Sequence, residues 1–164
     1  MPDTGPQDIQ TQGIDTQGAQ TRDVDTQNLP EVVVERRVEW GDTDAAGHYH
    51  YSAVQRWVEA AEAVLLRRLG LAGLFGAIPR VHFEADYRER LWFGEAVHTT
   101  LRVVKVGASS LHYAFEVRGE HGVAATGRLS IVHCAADAKG ATPWPDEVRA
   151  ALSRGGTQQP ESYA

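Results

Sequence analysis

One cysteine, Cys134, stands in 164 residues, which excludes an internal disulfide and a multi-cysteine zinc site. Positive charge is also short: 16 Lys and Arg against 22 Asp and Glu leave a formal net charge of −6. A nucleic-acid binder needs clustered cations to neutralise phosphate, so that class is excluded. No window reaches the ~18 apolar residues of a membrane span. The N-terminus lacks the basic, apolar and small-residue succession of a secretory signal. These absences predict a reducing, cytoplasmic compartment and no membrane partner. What remains, 42% hydrophobic and 23% charged, is the composition of an ordinary globular domain.

Residues 1–30 are rich in Gln, Thr, Asp and Gly, repeat Asp-Thr-Gln at 15–17 and 25–27, and hold no aromatic residue. Such a segment cannot bury enough apolar surface to offset its ordering entropy, so it reads as a disordered leader. The folded part is expected to begin near Pro30 or Glu31. Val32, Val34, Val38 and Trp40 then alternate as in a strand. Ser52 and Gln55 fit a Ser-x-x-Gln capping box that would open a helix at Ser52. Val54, Val58, Ala61, Leu65 and Leu69 keep helical spacing, and Gly70 is the expected stop. The helix is thus about 18 residues, roughly 27 Å long.

From Ile78 onward the period becomes two. Val81, Phe83, Ala85 and Tyr87 form one apolar row, Val97 to Val103 a second, and Leu111 to Val117 a third. A fourth runs from Val123 to His133, and Gly-rich turns at 107–109 and 119–122 link consecutive strands. The expected fold class is α+β: five antiparallel strands around one long central helix. The domain should span 31–137. A C-terminal extension, 138–164, fits a short helix over 146–152 and then a loose tail. One helix cannot shelter a five-stranded sheet, so the exposed edge predicts a homodimer or homotetramer.

Carboxylates, histidines, glycines and aromatics crowd together only in Trp40-Gly41-Asp42-Thr43-Asp44-Ala45-Ala46-Gly47-His48-Tyr49-His50-Tyr51. The stretch joins a strand to a helix, where side chains meet the free N–H groups of a helix start. An aromatic residue before Asp-x-Asp-x-x-Gly, then a His-containing segment opening a long helix, resembles the hotdog-fold thioesterases of the 4-hydroxybenzoyl-CoA thioesterase type. Gln55 to Ala61, the Leu69-Gly70-Leu71 exit and Ile78-Pro79-Arg80-Val81 are similar too. The resemblance covers about residues 31–135.

The resemblance implies hydrolysis of an acyl or aroyl thioester of coenzyme A, or of an acyl carrier protein. Asp44 would be the catalytic carboxylate, as nucleophile or as the base that activates water. The Tyr51 backbone N–H would be the oxyanion donor. A partial positive charge at a helix N-terminus suits the charge that develops on the carbonyl oxygen. Gly47, His48 and His50 would line the substrate site. Glu59 would line the acyl pocket of the neighbouring subunit and meet a polar group there. Asp42 reads as loop support, as Asp at a bend commonly bonds nearby N–H groups.

No cofactor or metal is implied beyond the coenzyme A or phosphopantetheine of the substrate. Relatives often hold phosphates with cations at the hairpin between the third and fourth strands. Here that turn is the uncharged Gly107-Ala108-Ser109-Ser110, which leaves Arg88, Arg90, Lys105, Arg118 and Arg128 as candidates. A metal site at Asp42, Asp44, His48 and His50 is one competing reading. An EF-hand loop fails, because Ala46 and Ala53 stand where ligands are needed. A hotdog dehydratase and a non-catalytic acyl-thioester binding module are the others.

Overall fold

The computed structural model describes residues 28–163. Most of the predicted leader falls outside that range, but Leu29 and Pro30 at its end are buried. The elements run β1 (Glu31–Arg37), α1 (Tyr51–Arg68), β2 (Arg80–Tyr87), β3 (Ala96–Val106), β4 (Ser110–Gly119), β5 (Gly122–Val132), α2 (Asp146–Arg154) and β6 (Glu161–Tyr163). The sheet order is β2-β5-β4-β3-β1-β6, antiparallel at every pairing except the parallel β1–β6.

The period-two rows do what their spacing predicts at the sheet centre. Val97, Thr99, Leu101 and Val103 of β3 and Leu111, Tyr113, Phe115 and Val117 of β4 are all buried. They face α1, whose Val54, Trp57, Val58, Ala61 and Leu65 are almost fully removed from water. Full burial of a side chain of that kind contributes about 1.5–3 kcal/mol. The helix stops as expected. Gly70 takes φ +73, Leu71 N–H reaches Leu66 C=O at 2.8 Å, and Gly70 N–H reaches Arg67 C=O at 3.0 Å. These two bonds form a Schellman motif, which needs the left-handed residue that glycine supplies.

Four expectations are corrected. The helix opens at Tyr51, one residue before Ser52, and the Ser52–Gln55 capping box does not form: His50 caps instead. Trp40 does not continue β1, which ends at Arg37. It enters a 3-10 turn, Trp40–Asp42, and stands 79% exposed. The apolar row of β2 is not covered, since Val81 is 59% exposed and Phe83 and Ala85 are only half-buried. The cause is position: β2 is an edge strand, while α1 lies over β1 and β3.

The fourth correction concerns the C-terminal extension, which adds a sixth strand to the sheet. Trp144, Val148 and Leu152 are buried in the common core, and the Trp144 indole N–H bonds Ser110 C=O at 3.2 Å. The loose tail expected after Ser153 is instead held against β1. Gln158 N–H bonds Glu31 C=O at 2.7 Å, and Arg68 pairs with Glu161. Residue 137 is therefore not a packing boundary. Leu152→Ala is expected to cost about 2–5 kcal/mol, read from the urea-unfolding midpoint; a C-terminal extension that did not pack on the domain would leave that midpoint unchanged.

Candidate active site

The 3-10 turn after β1 is built on Asp42, only 6% exposed. Its Oδ2 accepts from Glu39 N–H at 3.0 Å, and its Oδ1 takes Arg56 Nη2 at 2.8 Å. Its own C=O accepts from His50 N–H at 2.7 Å. One carboxylate and one carbonyl thus tie the end of β1 to the start of α1. Arg56 is half in water, so the ion pair is partly screened; its geometric effect is to hold the loop on the helix.

Asp44 sits at the exposed bend of the loop. Its Oδ1 accepts from Ala46 N–H at 2.8 Å, which orients the carboxylate, and Gly47 turns the chain with φ +80. Asp44 N–H bonds His48 C=O at 3.1 Å, and Tyr49 N–H bonds Leu91 C=O at 2.9 Å. The first bond closes the loop on itself, and the second fastens it to the segment after β2. His48 is half-buried with Nδ1 3.1 Å from Tyr49 C=O, a contact that assigns the proton to Nδ1, and its ring meets the edge of Trp92.

His50 is the N-cap of α1. Its Nδ1 accepts from Ser52 N–H at 3.3 Å and lies 2.8 Å from the Ser52 hydroxyl, which takes Arg56 Nη1 at 3.3 Å on its other side. An imidazole nitrogen therefore does the capping that the sequence pattern assigned to Ser52. Tyr51, the first helical residue, is 66% exposed, and among the described residues its backbone N–H has no acceptor. Tyr87, at the end of β2, donates its hydroxyl to Tyr51 C=O at 3.1 Å. That bond pins the helix start to the sheet edge.

Asp44, His48, Tyr49, Tyr51, Tyr87, Arg88, Glu89 and Arg90 surround one open cavity of about 330 Å³. An adjoining slot of about 240 Å³ shares Tyr51 and Tyr87 and continues along Ser52, Gln55, Phe83 and Ala85. Burial, then the neighbouring Tyr87, pushes the Tyr49 phenol up to about 12, and burial, then Tyr51, raises Tyr87. Both phenols keep their protons at neutral pH and remain donors. Arg88 and Arg90 form no ion pair among the described residues.

The structure brings Asp44, His48 and Tyr51 together, with Gly47 and His50 adjacent in the same loop. Asp42 turns away into the loop's own support. Glu59 lines a separate cavity of about 640 Å³ with Glu62, Phe75, Ile78, Arg80 and Cys134. Among the described residues no three His, Cys, Asp or Glu side chains converge as metal ligands. The remaining histidines serve locally: His112 lies between Ser110 and Ser130, and His133 meets Thr142.

Arg118 pairs with Glu116 and Arg128 with Glu84, away from the Asp44 cavity. Sequence reasoning missed Arg56 and Tyr87 as parts of this site. Arg56 is 14 residues from Asp42, and Tyr87 reads as one more member of a strand row, so neither carries a local signal. His50→Ala is expected to lower stability by about 1 kcal/mol, as loss of an N-cap acceptor does. His50→Asn, which keeps an acceptor, should recover most of it in thermal melts.

The profile of the thioesterase-like superfamily matches residues 38–152. A 1,4-dihydroxy-2-naphthoyl-CoA hydrolase of Prochlorococcus marinus strain MIT 9303 is 33% identical over 121 residues, covering 66% of this chain and 79% of that protein. A solved gentisyl-coenzyme A thioesterase aligns with TM-score 0.64 at 26% identity, covering 73% of this chain and 98% of its own. The 1,4-dihydroxy-2-naphthoyl-CoA thioesterase from Synechocystis aligns with TM-score 0.69 over 74% of this chain and 95% of its own, and at 20% identity it speaks for the fold. The loop geometry, the helix-on-sheet fold and these matches agree: the chain belongs to the thioesterase-like superfamily and is a hotdog-fold thioester hydrolase.

Proposed function

We propose that this enzyme hydrolyses coenzyme A thioesters of hydroxylated aromatic acids, with Asp44 as the catalytic carboxylate. One observation carries the assignment of the site: Asp44 shares its cavity with the first residue of α1, whose backbone N–H has no acceptor among the described residues. A thioester carbonyl between them would accept that N–H while Asp44 acts on its carbon. Attack by the carboxylate, or by a water it deprotonates, places negative charge on the carbonyl oxygen, where the helix N-terminus stabilises it. Collapse breaks the C–S bond. On the water route it gives the free acid directly, and the proton held by Asp44 passes to the leaving thiolate. On the nucleophilic route it leaves an acyl anhydride on Asp44, the thiolate takes a proton from solvent, and water then hydrolyses the anhydride to the acid. Oxygen-18 incorporation into Asp44 during single turnover in labelled water separates the nucleophilic route from the general-base route.

The half-buried aromatic slot along Phe83, Ala85 and Tyr87 suits a flat acyl group, and Arg88 and Arg90 give the cavity two cations for an anionic substrate. The names of the relatives support a hydroxylated aroyl group. Glu59 lies eight residues along α1 from Tyr51, about 12 Å at 1.5 Å per residue. This separation within one chain supports the reading in which Glu59 serves the neighbour's acyl pocket.

The oligomer is proposed to be a homodimer formed through β2. That edge is open and carries Val81, Phe83 and Ala85, whereas β6 covers the opposite edge. A lone half-buried thiol, Cys134, fits a reducing, cytoplasmic compartment.

Asp44→Asn is expected to lower kcat on aroyl-CoA substrates by at least about a hundredfold with the fold intact, a loss in the range of other essential catalytic groups. Activity that survives the substitution places the catalytic group elsewhere. Turnover confined to carrier-bound acyl groups would make the acyl carrier protein the donor. Val81→Asp is expected to shift the sedimentation coefficient to that of the monomer, and an unchanged oligomer would rule out pairing through β2.

A further inference from the structure

The cavity that Glu59 lines has a second carboxylate in its wall. Glu62, one helical turn further along α1, is 2% exposed. Its Oε2 takes Arg80 Nη2 at 2.5 Å, and its Oε1 has no hydrogen-bond partner among the described residues. The buried Tyr113 hydroxyl faces the same carboxylate, also without a hydrogen bond of normal geometry. Arg80 opens β2 and is half-buried, and its Nε stands 3.3 Å from Glu59 Oε1. A single guanidinium thus bridges two carboxylates. Gln55 Nε2 adds a contact to Glu59 Oε1 at 3.4 Å.

We propose that Glu62 and Arg80 are positioning residues that hold Glu59 as an ionised hydrogen-bond acceptor at the cavity wall, and so set recognition of the acyl group's hydroxyl. Glu62, almost fully removed from water, acts through Arg80. The inference rests on the reading of Glu59 given above.

The physical argument has three parts. Arg80 is fixed from two sides, its Nη2 hydrogen-bonded to Glu62 and its Nε in ion-pair contact with Glu59, and a guanidinium is planar and permanently charged. Two carboxylates against one cation leave a net negative charge beside the cavity, which favours a donor such as a hydroxyl over an anion. Both bonds on Glu59 fall on Oε1, so Oε2 stays without a hydrogen bond among the described residues. Burial raises the Glu62 carboxyl above the usual carboxylate range, and Arg80 offsets only part of that rise. Glu62 as a neutral amide would leave Arg80 compensated by Glu59 alone, turning an acceptor with spare charge into half of a closed ion pair. Glu59, Arg80, Tyr113 and the cavity-lining Cys134 are the titratable or charged groups set around Glu62.

A double-mutant cycle tests the relay. KM and kcat are measured for 4-hydroxybenzoyl-CoA and benzoyl-CoA in the wild type, Glu59→Gln, Glu62→Gln and the double variant. Removing a charge-assisted hydrogen bond is expected to lower the KM preference for the hydroxylated thioester about tenfold in each single variant. The double variant should show the same loss as Glu59→Gln alone.

Independent losses that multiply in the double variant would overturn the relay. So would a Glu62→Gln protein that melts earlier but keeps its preference. Glu59→Gln with its preference intact would overturn the reading of Glu59 itself. Should Glu62→Gln fail to fold, Arg80→Lys reads the same link, because it keeps the charge but loses the fork. The relay expects Arg80→Lys to lose the preference, and a retained preference overturns it.

Discussion

A buried carboxylate that must be satisfied organises the loop that carries Asp44. Once Asp42 is removed from water, its lone pairs need partners, because an unpaired charge in that position is costly. Arg56 supplies one and the Glu39 N–H another. Arg56 belongs to α1 and Glu39 to the end of β1, so satisfying Asp42 brings strand and helix together at one point. The bend that follows pushes Asp44 outward, and His50 reaches the N-terminus of α1 as its cap. The exposed carboxylate of the loop is placed by the hidden one.

The same logic of completed hydrogen bonding distributes function across the sheet. At the centre, β3 and β4 are covered by α1 and their rows are dry. At one edge, β6 returns from the C-terminal extension to pair with β1, held there by Arg68 and Gln158. At the other edge nothing among the described residues pairs with β2 beyond β5, and it is β2 that carries Tyr87 at the Asp44 cavity and Arg80 at the Glu59 cavity. The exposed strand therefore links both cavities. A partner subunit on that edge would close both at once, which unites the oligomer proposal with the site proposal.

Much of this was legible in the residues. The rows of β3, β4 and β5, the length of α1 and its Gly70 stop follow from local periodicity and from one residue that tolerates positive φ. The Asp-x-Asp-x-x-Gly stretch marked the site because so many polar groups lay between a strand and a helix. Less legible were choices between equivalent local groups. Ser52 and His50 both present an acceptor near the helix start, and only the path of the loop selects the imidazole. Trp40 continues an alternating pattern on paper, yet the demand of Asp42 for the Glu39 N–H bends the chain before the pattern can continue.

The sequence by itself determined the α+β class, the strand and helix order, and the stretch that carries Asp44, because these depend on contacts within a few residues. Tertiary structure alone decided that Asp42 pairs with Arg56, that Tyr87 pins Tyr51 and that Arg80 bridges Glu59 and Glu62. It also decided that the last residues form a strand beside β1. Each of these joins groups far apart in the chain, and their proximity exists only after the sheet has formed and α1 has packed on it. Spacing reports the period of one element; it carries no information about which side chain of another element will arrive opposite.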